Sequence, residues 1–383
     1  MDPMRVFLWL GAAVTGVVGW SGRLECLPLA ALVLVLWRLS RSRLEAFGVA
    51  AAYYAAPSFG WMPASSVFFG ADTDYSGKAI LVWIGAAALQ TLPWGLLWSK
   101  RFCGSATSRL SRGVALGLIL MVPPLGLLSW CNPWVAGVAA FPGLGFVGFG
   151  LVTLGAFAPG ARSWPLWVAL CLLVSTVACG RDAPGRDSDW AGLSTRDGML
   201  FEGDVGARYE RAISVAQAAA HLRAEVVLLP EGLGGHWTPS TEALFLSEAT
   251  ESDQVLLVGA IETRGGKRRN GLAIVGQGEP RFWSQRWPAP IGMWAPWRSA
   301  HVRSDLWRSS VAQIDRRRAA MLVCFEQFVS WPAFQTALED PDVVLAPANL
   351  WFARGTNLNR VREVTLQSWG ALMGWSVVEA ING

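Results

Sequence analysis

Charge is scarce in this sequence. Only 16% of its 383 residues are charged, against about a quarter in an ordinary soluble domain. The shortfall is uneven: residues 1–180 hold nearly all the long apolar runs, and 181–383 have the look of an ordinary α/β domain. Histidine is scarce too. His221, His236 and His301 are scattered, with no metal-ligand spacing. The six cysteines include no CxxC pair, so neither a zinc site nor a disulfide framework is signalled, and no cofactor is expected. Net charge is +4, and no Lys/Arg run is interleaved with stacking aromatics, so direct nucleic-acid binding is not expected. Lysine is nearly missing from the second half, where Lys267 stands alone.

What is present in quantity is apolar. Hydrophobic residues make up 52% of the chain, and 22 residues are tryptophan, a side chain that favours membrane interfaces. A helix needs about 20 apolar residues to cross a bilayer. Seven stretches qualify as candidates: 5–20, 24–38, 44–61, 79–98, 113–130, 133–158 and 164–180. Pro123-Pro124 and Pro142-Gly143 should kink the fifth and sixth. If the N-terminus is inside, the inner segments carry Arg5, Arg38, Arg41, Arg43, Lys100, Arg101, Arg109, Arg112 and Arg162, and the outer loops only Arg23 and Lys78. That is a positive-inside bias, and seven spans then place 181–383 on the periplasmic face of a bacterial inner membrane. The spans hold almost no ionisable group, which argues against an ion path or transporter. Gln90, the main polar residue within a span, is expected to bond between helices.

The C-terminal half alternates strands with helices, which argues α/β or layered α+β packing. Residues 181–204 form a linker with a short first strand at 190–194, and 205–383 form the domain. Helical spacing covers 207–223; strands are expected at 225–232, 254–261, 270–275, 319–323 and 342–346, and a long helix over 359–378. Cys324 follows the apolar run Ala319 to Val323, and Glu231 follows Glu225 to Pro230. A free cysteine in such a run is commonly packing, and a strand-end glutamate is commonly a cap. Together they suggest a carboxylate base beside a thiol nucleophile, with Glu326 two residues further on.

These segments carry a family resemblance. Leu228-Leu229-Pro230-Glu231-Gly232 and Val323-Cys324-Phe325-Glu326 resemble the Glu and Cys motifs of the carbon–nitrogen hydrolase (nitrilase) superfamily. Asn349-Leu350-Trp351-Phe352 resembles the Asn-x-x-Trp-Phe stretch after its next strand, and Ala380-Ile381-Asn382-Gly383 its Asn-Thr-Gly turn. Several spans followed by such a domain are similar to the apolipoprotein N-acyltransferases, and the whole pattern is most similar to a membrane family of plasmid conjugal transfer. The resemblance implies an αββα sandwich, a Glu base, a Cys nucleophile forming a thioester, and a Lys holding the oxyanion. It implies as partners a membrane lipid or lipoprotein-like acyl substrate and the proteins of the conjugation machinery.

The chain departs from that pattern in two places. Where the family has its Lys and a second Glu, the matching stretch Trp283 to Met293 has Gln285 and Met293. Arg286 is the nearest cation, but its planar fork is no simple substitute for a compact ammonium. The family continues with more strands beyond the Asn-Thr-Gly turn, so the domain is expected to be truncated at its C-terminus. Two readings stand: an active hydrolase or N-acyltransferase using Cys324, Glu231 and Glu326 with Arg286 or Gln285 at the oxyanion, and a catalytically degenerate membrane docking factor.

Overall fold

The computed structural model describes residues 3–70, 76–100, 105–158, 165, 169, 173, 189–197, 205–299 and 301–383. The chain forms two compact units. The first comprises Met1–Pro184, Phe328–Phe334 and Gly355–Trp375; the second comprises Gly185–Gln327, Gln335–Arg354 and Ser376–Gly383. The expected boundary is therefore incomplete: two segments from beyond residue 205 belong with the helices.

The described helices of the first unit's N-terminal part are α1 (Pro3–Gly19), α2 (Leu32–Leu39), α3 (Arg43–Ser58), α4 (Trp61–Phe68), α5 (Gly77–Leu97), α6 (Ala106–Met121), α7 (Pro133–Val138) and α8 (Phe146–Phe157). The expected apolar stretches are thus divided more finely than hydropathy suggests. A 3₁₀ turn, Leu27–Ala31, carries Pro28 ahead of α2, and α3 gives way at once to α4. The 133–158 stretch breaks into α7 and α8 around Pro142-Gly143, where proline cannot continue the helical ladder. Among the described residues one helix, α5, is long and apolar enough to cross a membrane by length and composition. The candidate at 164–180 lies almost wholly outside the described residues. Gln90 donates to Ala86 O at 2.9 Å within its own helix, not to another.

Buried polar groups tie this unit together. Glu45 accepts from Arg5 Nε at 2.8 Å and from Arg41 N at 2.7 Å, joining α1 to the start of α3. Trp20 Nε1 donates to Tyr53 Oη at 2.8 Å, and that hydroxyl donates to Cys131 O at 2.9 Å. Asn132 caps α7 by accepting from Trp134 N at 2.9 Å, and its Nδ2 donates to Ser330 Oγ at 2.9 Å. Ser330 N and Oγ both donate to Ser129 O at 3.1 Å. These bonds explain why 328–334 belongs with the helices.

The second unit is two stacked sheets. The first has strand order β1 (Trp190–Gly192), β2 (Val226–Leu228), β3 (Val255–Arg264), β4 (Lys267–Val275), β5 (Arg281–Ser284). Its first three strands run parallel and its last two antiparallel. The second sheet has β6 (Val311–Ile314), β7 (Arg317–Met321), β8 (Val343–Asn349) and β9 (Ser376–Asn382), with β7, β8 and β9 parallel. Side chains alternate across a strand, and the burial follows. Val226, Leu228, Leu257, Leu272 and Ile274 face Ile314, Met321, Val343, Leu345 and Val378 between the sheets. Val227, Leu256, Val258, Ala273 and Val275 face the other way, into a core shared with Ala216 of α9 (Val205–Ala220) and Phe245 of α10 (Pro239–Ser252).

Two further helices link the second sheet: α11 (Ser330–Glu339) between β7 and β8, and α12 (Leu358–Met373) between β8 and β9. The helix expected to reach residue 378 stops at Met373. Gly374 caps it with φ 75°, the left-handed conformation that glycine favours at a helix end, and the chain turns into β9.

Replacing Asn132 removes the cap of α7 and strands the Ser330 hydroxyl contact. Asn132→Ala should cost about 1–2 kcal/mol and lower the melting temperature, whereas Ser111→Ala on the exposed face of α6 should not.

Candidate active site

Three parallel strands deliver the site. Glu231 follows β2, Cys324 follows β7, and Asn349 ends β8. In open α/β sheets the carboxyl ends of parallel strands are where ligands commonly gather. Close approach of backbone is needed here: a Cβ on Gly259 in β3 would collide with Pro230 O and Glu231 Cα. Glu231 therefore rests directly on the neighbouring strand.

Glu231 is buried, and both its oxygens are occupied. Oε1 accepts from Asn270 Nδ2 at 2.7 Å, and Oε2 from Asn349 N at 3.1 Å. The Cys324 thiol also donates to this carboxylate. Burial holds the Glu231 carboxyl above its ordinary value, opposed by the bonds from Cys324, Asn270 and Asn349; the negative charge of Glu326 adds to the rise. Cys324 is half-buried and takes a φ of 47°, unusual for a residue with a side chain. Its sulfur lies 4.0 Å from Asn349 O. Cys324 opens a 3₁₀ turn, Cys324–Gln327. The first donors of such a turn are not used by its own ladder, and the Phe325 N–H is one of them.

Glu326 plays a different part. It is wholly buried. Oε1 accepts from Arg286 N at 3.0 Å and Trp287 N at 2.8 Å, and Oε2 from Val323 N at 2.8 Å. It clamps Val323, the residue before Cys324, to the loop after β5. Burial raises its carboxyl, opposed first by the Arg286 charge and then by these backbone bonds.

The two residues considered for the oxyanion divide between the carboxylates. Gln285 goes with Glu231. Its Oε1 accepts from Asn270 Nδ2 at 2.8 Å, while Nε2 donates to Val323 O at 2.9 Å and Trp287 O at 3.2 Å. Arg286 goes with Glu326, 4.0 Å from its Oε1, and donates to Thr336 Oγ1 at 2.8 Å. Burial pulls the guanidinium down, opposed by Glu326 and Glu339. The two adjacent side chains thus serve different carboxylates, and the one beside the Cys324–Glu231 pair is neutral.

Asn270 was not singled out by sequence reasoning, although it bridges Glu231 and Gln285. The signal was there: it is a polar residue opening the apolar run Gly271 to Val275. Asn349 stood out only as part of a motif, yet its N–H holds the base. Among the described residues no group of His, Cys, Asp and Glu could hold a metal ion.

The chain is similar to conjugal transfer proteins. It is 29% identical over 397 residues to conjugal transfer protein TraB of Agrobacterium fabrum, across all of this chain and 94% of that protein. It is 28% identical over 385 residues to the probable conjugal transfer protein TraB of Sinorhizobium fredii, across 98% of this chain and 97% of that one. No family model matches. Among solved structures, a mutant amidase of the nitrilase superfamily from Nesterenkonia AN1 aligns with 50% of this chain and 75% of its own, at 16% identity and TM-score 0.41. A carbon–nitrogen hydrolase from Helicobacter pylori G27 aligns with 51% and 73%, at 16% identity and TM-score 0.38.

A carboxyl raised on folding binds more protons folded than unfolded. The stability it contributes is complete below the unfolded value of about 4.3 and is lost as pH rises through the raised folded value. Glu231→Gln cannot ionise. The variant should therefore match or fall below wild type near pH 4, and gain on it steadily as pH rises, read as melting temperature across a pH series.

Proposed function

We propose that this chain is a membrane-anchored carbon–nitrogen hydrolase or N-acyltransferase-like protein that takes part in plasmid conjugal transfer, with Cys324 as nucleophile and Glu231 as base. The observation that carries the chemistry is the meeting of Cys324 and Glu231 at Asn349, whose N–H donates to Glu231 Oε2 at 3.1 Å and whose carbonyl lies 4.0 Å from the Cys324 sulfur, with the thiol bonded to the buried carboxyl. Glu231 takes the thiol proton, and the sulfur attacks the acyl carbonyl carbon. The tetrahedral oxyanion collapses as the bond to the leaving group breaks, and Glu231 returns the proton to that group. A thioester remains on Cys324. An amine or water then attacks it, losing a proton to Glu231, and the proton returns to the departing thiolate.

In this reading backbone N–H groups, Phe325 first, hold the oxyanion, because the Gln285 amide is turned to backbone carbonyls and Arg286 towards Thr336 and Glu326. One oxyanion donor is worth about a hundred- to thousandfold in rate, so turnover should be slow. The acyl source fits a membrane lipid or a lipoprotein-like substrate, and conjugal transfer follows from the names of the relatives.

The membrane part of the reading rests on apolar side chains facing outward. Phe7, Leu10, Val14 and Val17 on α1, and Leu81, Ile84, Leu92 and Leu96 on α5, are exposed; Leu81 and Leu96 reach 71% and 72%. Monomeric soluble proteins rarely present such continuous patches. We place the protein in the bacterial inner membrane as a multi-pass chain with its C-terminal domain periplasmic. A reporter active only in the periplasm should work when fused after residue 200 and fail when fused after residue 40; the reverse result would overturn this orientation.

One observation favours a second reading, a catalytically degenerate docking factor of the conjugation machinery: the neutral Gln285 stands beside the pair with its amide engaged at both ends. Labelling with a thiol-reactive acyl probe separates the two. An active site labels Cys324 at neutral pH, well below the ordinary thiol value of about 8.5, and Glu231→Gln reduces labelling at least tenfold. If Cys324 labels no faster than Cys26, and Cys324→Ala leaves conjugation frequency unchanged, the docking reading replaces the enzymatic one.

A further inference from the structure

Asn349 touches both members of the candidate pair through its backbone: its N–H donates to Glu231 Oε2 at 3.1 Å, and its carbonyl lies 4.0 Å from the Cys324 sulfur. What holds Asn349 is a residue on the adjacent strand. Asn382 lies opposite it in the parallel β8–β9 register. Asn382 is fully buried, and its side chain works in two directions. Nδ2 donates to Asn349 Oδ1 at 2.9 Å; Oδ1 accepts from Thr195 Oγ1 at 2.9 Å and from Asp197 N at 2.9 Å. Its backbone carbonyl accepts from Leu350 N at 2.7 Å, the residue following Asn349. The bridge between Thr195 and Asn382 brings the segment after β1 to the same point. One amide thus joins the ends of three chain segments, with two bonds to the Thr195–Asp197 segment and one to Asn349, whose backbone meets both Glu231 and Cys324.

We infer that Asn382 is a positioning residue for the Glu231–Cys324 pair, acting through Asn349. A valine or threonine at 382 would satisfy the strand; only an amide both donates to Asn349 and accepts from Thr195 and Asp197. Without the donor, the end of β8 keeps its backbone ladder to β9 but loses the side-chain bond that fixes Asn349, and the Asn349 N–H shifts away from Glu231 Oε2. That bond favours the ionised carboxylate, so its loss makes the base harder to ionise. The titratable groups facing Glu231 are Cys324 and Glu326, and neither changes in this scheme.

The inference rests on the proposed chemistry for its meaning but not for its test. Two quantities are read in the full-length membrane protein: the pH profile of Cys324 labelling by an acyl probe, and the titration of the Glu231 carboxyl by isotope-edited infrared spectroscopy, with Glu231→Gln as the blank. Asn382→Ala and Asn349→Ala should each lower labelling at neutral pH about fivefold, the value of one ordinary hydrogen bond, and move both profiles to higher pH. The double variant should be no worse than the poorer single one, because the two act in series. If Asn382→Ala destabilises the domain too far to be studied, Thr195→Val removes one of its anchors and should move both profiles the same way by less. Profiles superimposable on wild type in Asn382→Ala, or in Thr195→Val where that is the variant studied, overturn the inference, as do effects of Asn349 and Asn382 that multiply. If wild-type Cys324 fails to label, the enzymatic reading falls, and the Glu231 titration alone decides whether Asn382 positions the carboxyl.

Discussion

A carboxylate taken out of water has to be satisfied by the protein's own donors, and this domain buries two of them at one end of its sandwich. Glu326 draws three backbone N–H groups around itself from two segments, the end of β7 and the loop after β5. Those bonds fix where Val323 ends and Cys324 begins, and the 3₁₀ turn and positive φ of Cys324 follow at that point. Glu231 is satisfied differently, by one side-chain amide, one backbone N–H and the thiol. The contrast sorts their roles. A carboxylate surrounded by main chain is a fastener, whereas one that accepts from a thiol has a proton to take.

The neutral amides are what make this arrangement unusual. Between Glu231 and the carbonyl of Val323 runs a continuous relay, Asn270 to Gln285 to backbone, in which every donor meets an acceptor. A cation in place of Gln285 would lower the base by direct attraction. An amide chain holds geometry without supplying charge, so burial wins and the carboxyl stays high. The nearest cation, Arg286, is drawn off by Glu326 and Thr336. Under the proposed chemistry, the geometry of nucleophile and base is in place while the charge available to an oxyanion is small, so such a site should turn over slowly.

How much of this could be read from the chain depended on the period of the signal. The apolar runs before Glu231 and Cys324 are short and continuous, as strands buried on both faces must be, and both residues sit where those runs stop. β5 and β6 were missed because Arg281 and Gln313 interrupt runs of only four residues. β9 was absorbed into the preceding helix because Ser376 to Ile381 is as apolar as a helix interior; Gly374 was the mark that separated them. The partition of Gln285 and Arg286 between two carboxylates could not be read at all. Adjacent residues point to different sides of the chain, and which side holds which acid is set by partners distant in sequence: Glu326, 40 positions from Arg286, in one case, and Asn270 of β4, 15 positions from Gln285, in the other.

The helical unit shows the same limit from the other side. Hydropathy sees apolar length and misses punctuation: Pro28, Pro123-Pro124 and Pro142-Gly143 divide stretches that composition alone would run together. It also misses which polar groups are internal. Arg5 reads as a flanking charge and proves to be bonded to Glu45, a residue only 2% exposed. An ion pair whose arginine is 41% exposed is weak ground for stability, but its geometry ties α1 to the start of α3. Asn132 does the same for Ser330, 198 positions further along the chain. Side chains of this kind decide that a segment from the second half of the sequence folds with the first, and no apolar pattern records them.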